Sequence, residues 1–327
     1  MDVLRPALGL APVLCFLGAL VLLDSYKLVR LRAVVAAVAA GMAVAGIAYF
    51  INGELLEHFD FHFYTRYVSP VLEEALKALI IFGLIRGHRI GFLVDAAIFG
   101  FAVGAGFAVI ENLDYLTMAP HAGLGTWFVR GFGTAIMHGG STAIFAVAAM
   151  ALLERPYAYL PGFGLAVVLH SLFNHFFFSP LASTAGVAIV MPLLLNAVFA
   201  RSESAVGDWL GRGFDADAEM LELINSGQLS DSPVGRYLHT LKDRFQGLVV
   251  ADLLAYLRLY TELALRAKGV LMMRESGFDV PVDEPTREKF AELRYLEKIV
   301  GRTGLLAIQP MLHMSHKDLW QLYMLGK

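Results

Sequence analysis

Charge is scarce in this chain. Only 17% of its 327 residues are Asp, Glu, Lys or Arg, and positions 156–200 hold none at all. Soluble domains carry about 25% charged residues, so a chain soluble along its whole length is excluded. Cysteine is nearly missing: Cys15 stands alone in an apolar run, which rules out an intrachain disulfide and any Cys-based metal cluster. Neither sign of charge dominates, with 26 Lys and Arg against 29 Asp and Glu, so nothing points to a nucleic-acid partner. No His-Glu-x-x-His occurs, which removes the strongest sequence sign of a zinc hydrolase.

What is abundant is apolar surface, at 57% of residues and a mean hydropathy of +0.61. It is concentrated early: residues 1–200 hold only 10 of the 26 basic and 11 of the 29 acidic residues. We therefore expect a membrane domain over 1–200, a Gly-, Asp- and Ser-rich linker over 201–235 with one short helix near 216–225, and a cytoplasmic helical domain over 236–327. A bilayer helix needs about 20 mostly apolar residues. Segments 7–23, 33–51, 67–85, 90–112 and 130–153 qualify, and Ser179-Pro180 divides the uncharged stretch 156–200 into two more. The predicted fold class is all-α, a multi-pass transmembrane helical bundle of about seven spans with a small helical cytoplasmic C-terminal domain. In that domain helices are expected over 236–273, 286–301 and 314–325, with a loop from Gly277 to Pro285.

Orientation follows from the loops. Lys27, Arg30 and Arg32 follow the first span instead of preceding it, which suits an uncleaved helix with its N-terminus outside. Alternate loops then place Lys27, Arg30, Arg32, Arg86, Arg89, Arg155, Arg201 and Arg212 in the cytoplasm, against Arg5 and Arg66 outside. The C-terminus is expected to be cytoplasmic.

Within the spans lie residues that bilayers rarely tolerate: Glu73, Glu74 and Lys77 on the third, Glu111 and Asn112 on the fourth, His138 on the fifth, His170 and Asn174 on the sixth. A charged side chain there costs several kcal/mol and usually marks a functional site. At about 1.5 Å per residue, all four helices carry these groups in the outer half of the bilayer. Glu73 and Lys77 share a helix face, as do His170 and Asn174. Ser69-Pro70 reads as a helix start, whose dipole favours a carboxylate at Glu73. Gly100, Gly104, Gly106, Gly131, Gly133, Gly139 and Gly140 let neighbouring spans approach closely. Lys77 reads as neutralising Glu73 or joining the chemistry, and Asp95 as a local ion-pair partner or solvated residue.

The order Glu73-Glu74-x-x-Lys77, Phe107-x-x-x-Glu111-Asn112, an isolated His138, then His170-x-x-x-Asn174 resembles the PrsW intramembrane proteases, in a superfamily with the type II CAAX prenyl endopeptidases and the Abi proteins. Lys77 and the Glu111-Asn112 pair favour the PrsW branch, and the resemblance covers roughly residues 30–200. It implies a protease embedded in the lipid bilayer that cuts a single-span membrane protein near its extracytoplasmic side, with anti-sigma factors as substrate class.

The chemistry can also be built from the residues. Hydrolysis without a side-chain nucleophile needs a base for water and donors for the oxyanion. In the favoured scheme no cofactor is bound: Glu73 takes the proton, His138 orients the water, Glu74 or Glu111 fixes the geometry, and His170 and Asn174 donate to the oxyanion. Lys77 and Asn112 support it. The alternative is a zinc site with Glu73, His138 and His170 as ligands. A rival from another class is a proton-coupled transporter or channel using the same buried Glu and His residues.

Overall fold

The structure, a computed structural model, describes residues 3–242, 245, 247–278, 280–309, 311, 312 and 320. Helices are the only regular elements among them. The chain forms two compact units, Met1–Glu203 and Ser204–Lys327.

In the first unit α1 (Leu4–Leu22) and α2 (Leu31–Leu56) lead into a short α3 (Phe61–Phe63), a π-helical turn (Tyr64–Val68) and α4 (Ser69–Arg86). Then come α5 (Leu93–Met118), α6 (Leu124–Phe128), a second π-helical turn (Val129–Thr134), α7 (Ala135–Ala151), α8 (Tyr159–His175) and α9 (Pro180–Asn225). Each expected span is helical. Among the described residues, five helices are long and apolar enough to cross a membrane: α1, α2, α5, the continuous run Leu124–Ala151, and α9. The other two expected spans are α4, which carries Glu73, Glu74, Lys77 and Arg86, and α8, which is 17 residues long. The chain breaks between α8 and α9, where Phe176 adopts a left-handed backbone just ahead of Ser179-Pro180.

α5 is the axis of this unit. Every residue from Val94 to Ala108 is buried, as expected for a helix apolar all round and surrounded by others. Its glycines explain how α7 comes so near. A Cβ on Gly104 would lie 2.1 Å from the His138 carbonyl oxygen and 2.7 Å from Gly139 Cα, and both are backbone atoms that cannot step aside. Gly104→Ala is accordingly expected to cost at least about 3 kcal/mol, read as a large drop in the unfolding midpoint of the purified protein. Asp95 corrects the expectation of an ion pair or solvated side chain. It is buried at the start of α5 and accepts from Gly91 N at 2.6 Å and Phe92 N at 2.7 Å, supplying partners for amides that a helix start leaves unpaired.

The second unit corrects the linker. Helix α9 continues to Asn225, and the unit starts at Ser204 instead of 236. The glycines here cost about 1 kcal/mol each in a helix, less than the packing returns. Val206 and Leu210 are buried, and Asp217 pairs with Lys268 at 2.6 Å, whose ammonium also lies 5.1 Å from the Trp209 ring. A 3-10 turn (Gln228–Asp231), α10 (Pro233–Leu241), α11 (Gly247–Glu275) and α12 (Glu284–Ile308) follow. The single helix expected over 236–273 is thus two. The loop after Gly277 is present, and α12 is interrupted at Gly301, whose φ of 66° ends the helix expected to stop there before it resumes. The helix expected over 314–325 falls, apart from residue 320, outside the described residues.

Candidate active site

The helix carrying Glu73 begins earlier than Ser69. Asp60 caps it, its carboxylate accepting from His62 N and Phe63 N at 3.0 Å, and the helical backbone runs unbroken to Arg86. Pro70 is absorbed by the π-helical turn, in which Ser69 N reaches Tyr64 O, five residues back. That turn leaves Thr65 O without its usual partner, and Pro70, which has no N–H, leaves Arg66 O without one. Helix α8 supplies both: Asn174 Nδ2 donates to Thr65 O at 2.9 Å and Ser171 Oγ to Arg66 O at 2.6 Å.

Asn174 thus spends one of its two amide hydrogens on the backbone, and its side chain also lines a cavity beside the cluster. Asn174→Ala should cost about 1 kcal/mol of stability, the value of one part-buried hydrogen bond, with the turnover of the folded fraction falling no more than several-fold. Ser69 lies mid-helix, so the helix start that Ser69-Pro70 suggests does not stand beside Glu73. Its hydroxyl instead donates to Glu73 Oε1 at 2.5 Å. Asn52 Nδ2 donates to the same oxygen at 3.1 Å and is itself held by Tyr64 OH at 2.6 Å.

Lys77, fully buried, pairs with Glu74 at 2.6 Å and not with Glu73. The reason lies across the helix interface, where His138 and His170 crowd the same face. Glu74 Oε1 accepts from Lys77 Nζ, from Ser141 Oγ at 3.0 Å, and meets His170 Nδ1 at 2.9 Å. Lys77 Nζ also lies 3.1 Å from His138 Nδ1 and 4.9 Å from the Phe107 ring centre, a favourable seat for a cation. His138 Nε2 meets Glu111 Oε2 at 2.7 Å, and Arg130 grips the far side of Glu111, its NH2 2.9 Å from Oε1. Arg130 Nε donates to Asn112 Oδ1 at 2.7 Å, and Asn112 Nδ2 to Gly9 O at 2.7 Å, tying α5 to α1. Asn112 is thus a brace outside the cluster.

Of the residues expected at a site, Glu73, Glu74, Lys77, Glu111, His138 and His170 come together, drawn from four helices. Asn52, Tyr64, Ser69, Arg130 and Ser141 complete the shell. Ser141 was legible in principle, three residues after His138 on the same face. Asn52 and Tyr64 carried no such signal, since only the tertiary fold brings them to Glu73.

Two cavities flank the cluster. One of about 490 Å³ lies between α2 and α5, with Glu73, Asn52 and Phe107 on its wall. The other, about 540 Å³, is lined by Arg130, Asn174, Tyr115 and Phe173. Glu111 lines both.

Ligand atoms of Glu73, His138 and His170 all lie within 4.8 Å of one another, so this group could hold a metal ion, and its N and O donors suit zinc. Glu73 Oε2 and His170 Nε2, 3.9 Å apart, are close to the roughly 3.4 Å between two ligands on a tetrahedral ion. His138 fits on distance. A metal needs a bare nitrogen, and which His138 nitrogen is bare follows from the ring tautomer, on which the contact of Nδ1 with Lys77 Nζ at 3.1 Å bears.

A family model described as PrsW family intramembrane metalloprotease matches residues 29–199, just over half of the chain. No curated protein and no solved structure matches. The chain belongs to the PrsW family, and with its apolar helices it is a multi-pass membrane protein and a membrane protease.

Proposed function

We propose that this member of the PrsW family is an endopeptidase that cuts a membrane-anchored protein near its extracytoplasmic side with a water molecule activated by Glu73. The observation carrying the reading is Glu73, on the wall of an apolar cleft, with its Oε2 3.9 Å from His170 Nε2. Both atoms accept protons, and both are held from behind, Glu73 by Ser69 and Asn52, His170 by Glu74. A water bonded to the two would donate a hydrogen to each and keep both lone pairs for a carbonyl carbon brought to Glu73 along the cleft.

The steps follow from that placement. Glu73 takes one proton as the water oxygen attacks the peptide carbonyl carbon, and the carbonyl oxygen becomes the oxyanion. Donors must meet that charge, and the N–H of His138 beside Glu111 and the Arg130 guanidinium behind it are the donors across the cluster. Glu73 then returns its proton to the leaving nitrogen, and the C–N bond breaks. Water orientation thus passes from His138 to His170, and oxyanion binding from His170 and Asn174 to His138.

A single-span membrane protein is the substrate class, because the cleft lies between two apolar helices, and an anti-sigma factor is the candidate the resemblance supplies. We place the N-terminus outside and the 204–327 unit in the cytoplasm, on the excess of Lys and Arg in alternate loops. Purified protein in liposomes with a panel of single-span substrates tests the chemistry. Cleavage is expected to persist after exhaustive chelation. Activity lost to chelators and restored by zinc would overturn the metal-free scheme in favour of Glu73, His138 and His170 as ligands. Proton flux without any cleavage would favour the transporter.

A further inference from the structure

The protease reading leaves Lys77 and Glu74 without a chemical step, yet they are the most deeply buried charges of the cluster, at 0% and 2% exposure. We propose that they are a positioning pair that sets opposite tautomers in the two site histidines, making His138 a hydrogen-bond donor and His170 an acceptor.

An ammonium has three donors and no acceptor. Lys77 Nζ spends one donor on Glu74 Oε1 at 2.6 Å and points another at His138 Nδ1 at 3.1 Å. His138 Nδ1 must then carry its lone pair, so the ring proton sits on Nε2; Glu111 Oε2 lies 2.7 Å away without hydrogen-bond geometry and does not take that proton's bond. Glu74 does the reverse for His170. A carboxylate only accepts, so the contact of its Oε1 with His170 Nδ1 at 2.9 Å places the proton on Nδ1. His170 Nε2 is left with its lone pair towards Glu73 Oε2. The two rings stand nearly perpendicular, 84° apart with centres at 4.7 Å, and each tautomer is set by its own partner on α4.

The consequence, which rests on the reading above, is a site with two unlike edges. Glu73 and His170 form the accepting edge, where water loses its proton, and His138 forms the donating edge. One ion pair on a single turn of α4 aligns both, and Ser141, the third donor to Glu74, holds its carboxylate in place.

Ring ¹⁵N spectra of the full-length protein in nanodiscs, labelled at histidine, test this without substrate. His138 is expected to show a bare Nδ1 and a protonated Nε2, and His170 the opposite pattern. The same tautomer in both rings, or a protonated Nδ1 in His138, would overturn the proposal. Lys77→Met should scramble the His138 pattern and lower kcat about 10- to 100-fold, the scale seen when a group orienting an active-site histidine is lost, with KM within about twofold. Lys77→Arg, which restores donors, should recover the pattern and part of the rate. If Lys77→Met does not fold, the wild-type spectrum alone decides. Opposite tautomers in a protein that cleaves nothing would sink the protease reading and leave this one standing.

Discussion

Glu73→Gln is expected to lower cleavage by about 10²- to 10⁴-fold, the contribution of a positioned general base, while the folded protein is nearly as stable as the wild type. Both halves follow from how the carboxylate is held. Ser69 Oγ and Asn52 Nδ2 donate to Glu73 Oε1, and a glutamine oxygen in the same place accepts the same two bonds. The other position changes character. An amide nitrogen there would donate towards His170 Nε2, so the group that takes the proton from water is replaced by one that cannot. The loss should appear in single-turnover cleavage, with substrate binding largely kept. A folded variant that cleaves at the wild-type rate would remove Glu73 from the role of base.

Glu74→Ala should cost stability strongly, in addition to the loss of rate that follows when the His170 tautomer is no longer set. Lys77 is fully buried, and its 2.6 Å partner would be gone. Ser141 Oγ and His170 Nδ1 would lose their acceptor at the same time. Breaking a buried pair by removing one partner costs about 3–5 kcal/mol, a large share of the 5–15 kcal/mol that holds a typical domain together. Chemical unfolding in detergent measures it. The double variant Glu74→Ala with Lys77→Met removes the stranded charge and should recover a substantial part of the loss. If the double variant is no more stable than Glu74→Ala alone, the Lys77 charge was not what the carboxylate was compensating.

The contrast between these two glutamates shows where the sequence stopped being informative. That the spans are helices, that Ser179-Pro180 separates two of them, and that charged residues on four helices converge could all be read from apolar run length, proline and the cost of charge in a bilayer. Which carboxylate Lys77 would take could not. Spacing on one helix allowed Glu73 at i,i−4 and Glu74 at i,i−3, and the choice was made by His138 and His170 on other helices. Asn174 shared a face with His170 and so looked like part of the chemistry. Its amide also donates to a carbonyl that the π-helical turn at Tyr64–Val68 frees, and no periodicity announces such a turn. The helical stretch 204–225 was obscured by its glycines and acids. Its stabilising partner, Lys268, lies about fifty residues further on, out of reach of any local reading.

If Glu73 activates water to cut a protein in the membrane, the cut must vanish with its carboxylate. The most direct measurement is mass spectrometry of a single-span substrate co-reconstituted in liposomes with the wild-type protein or with Glu73→Gln. The account predicts new peptide termini in the extracytoplasmic half of the substrate span with the wild type, and none above background with Glu73→Gln. Equal yields of the same termini from both proteins would contradict it.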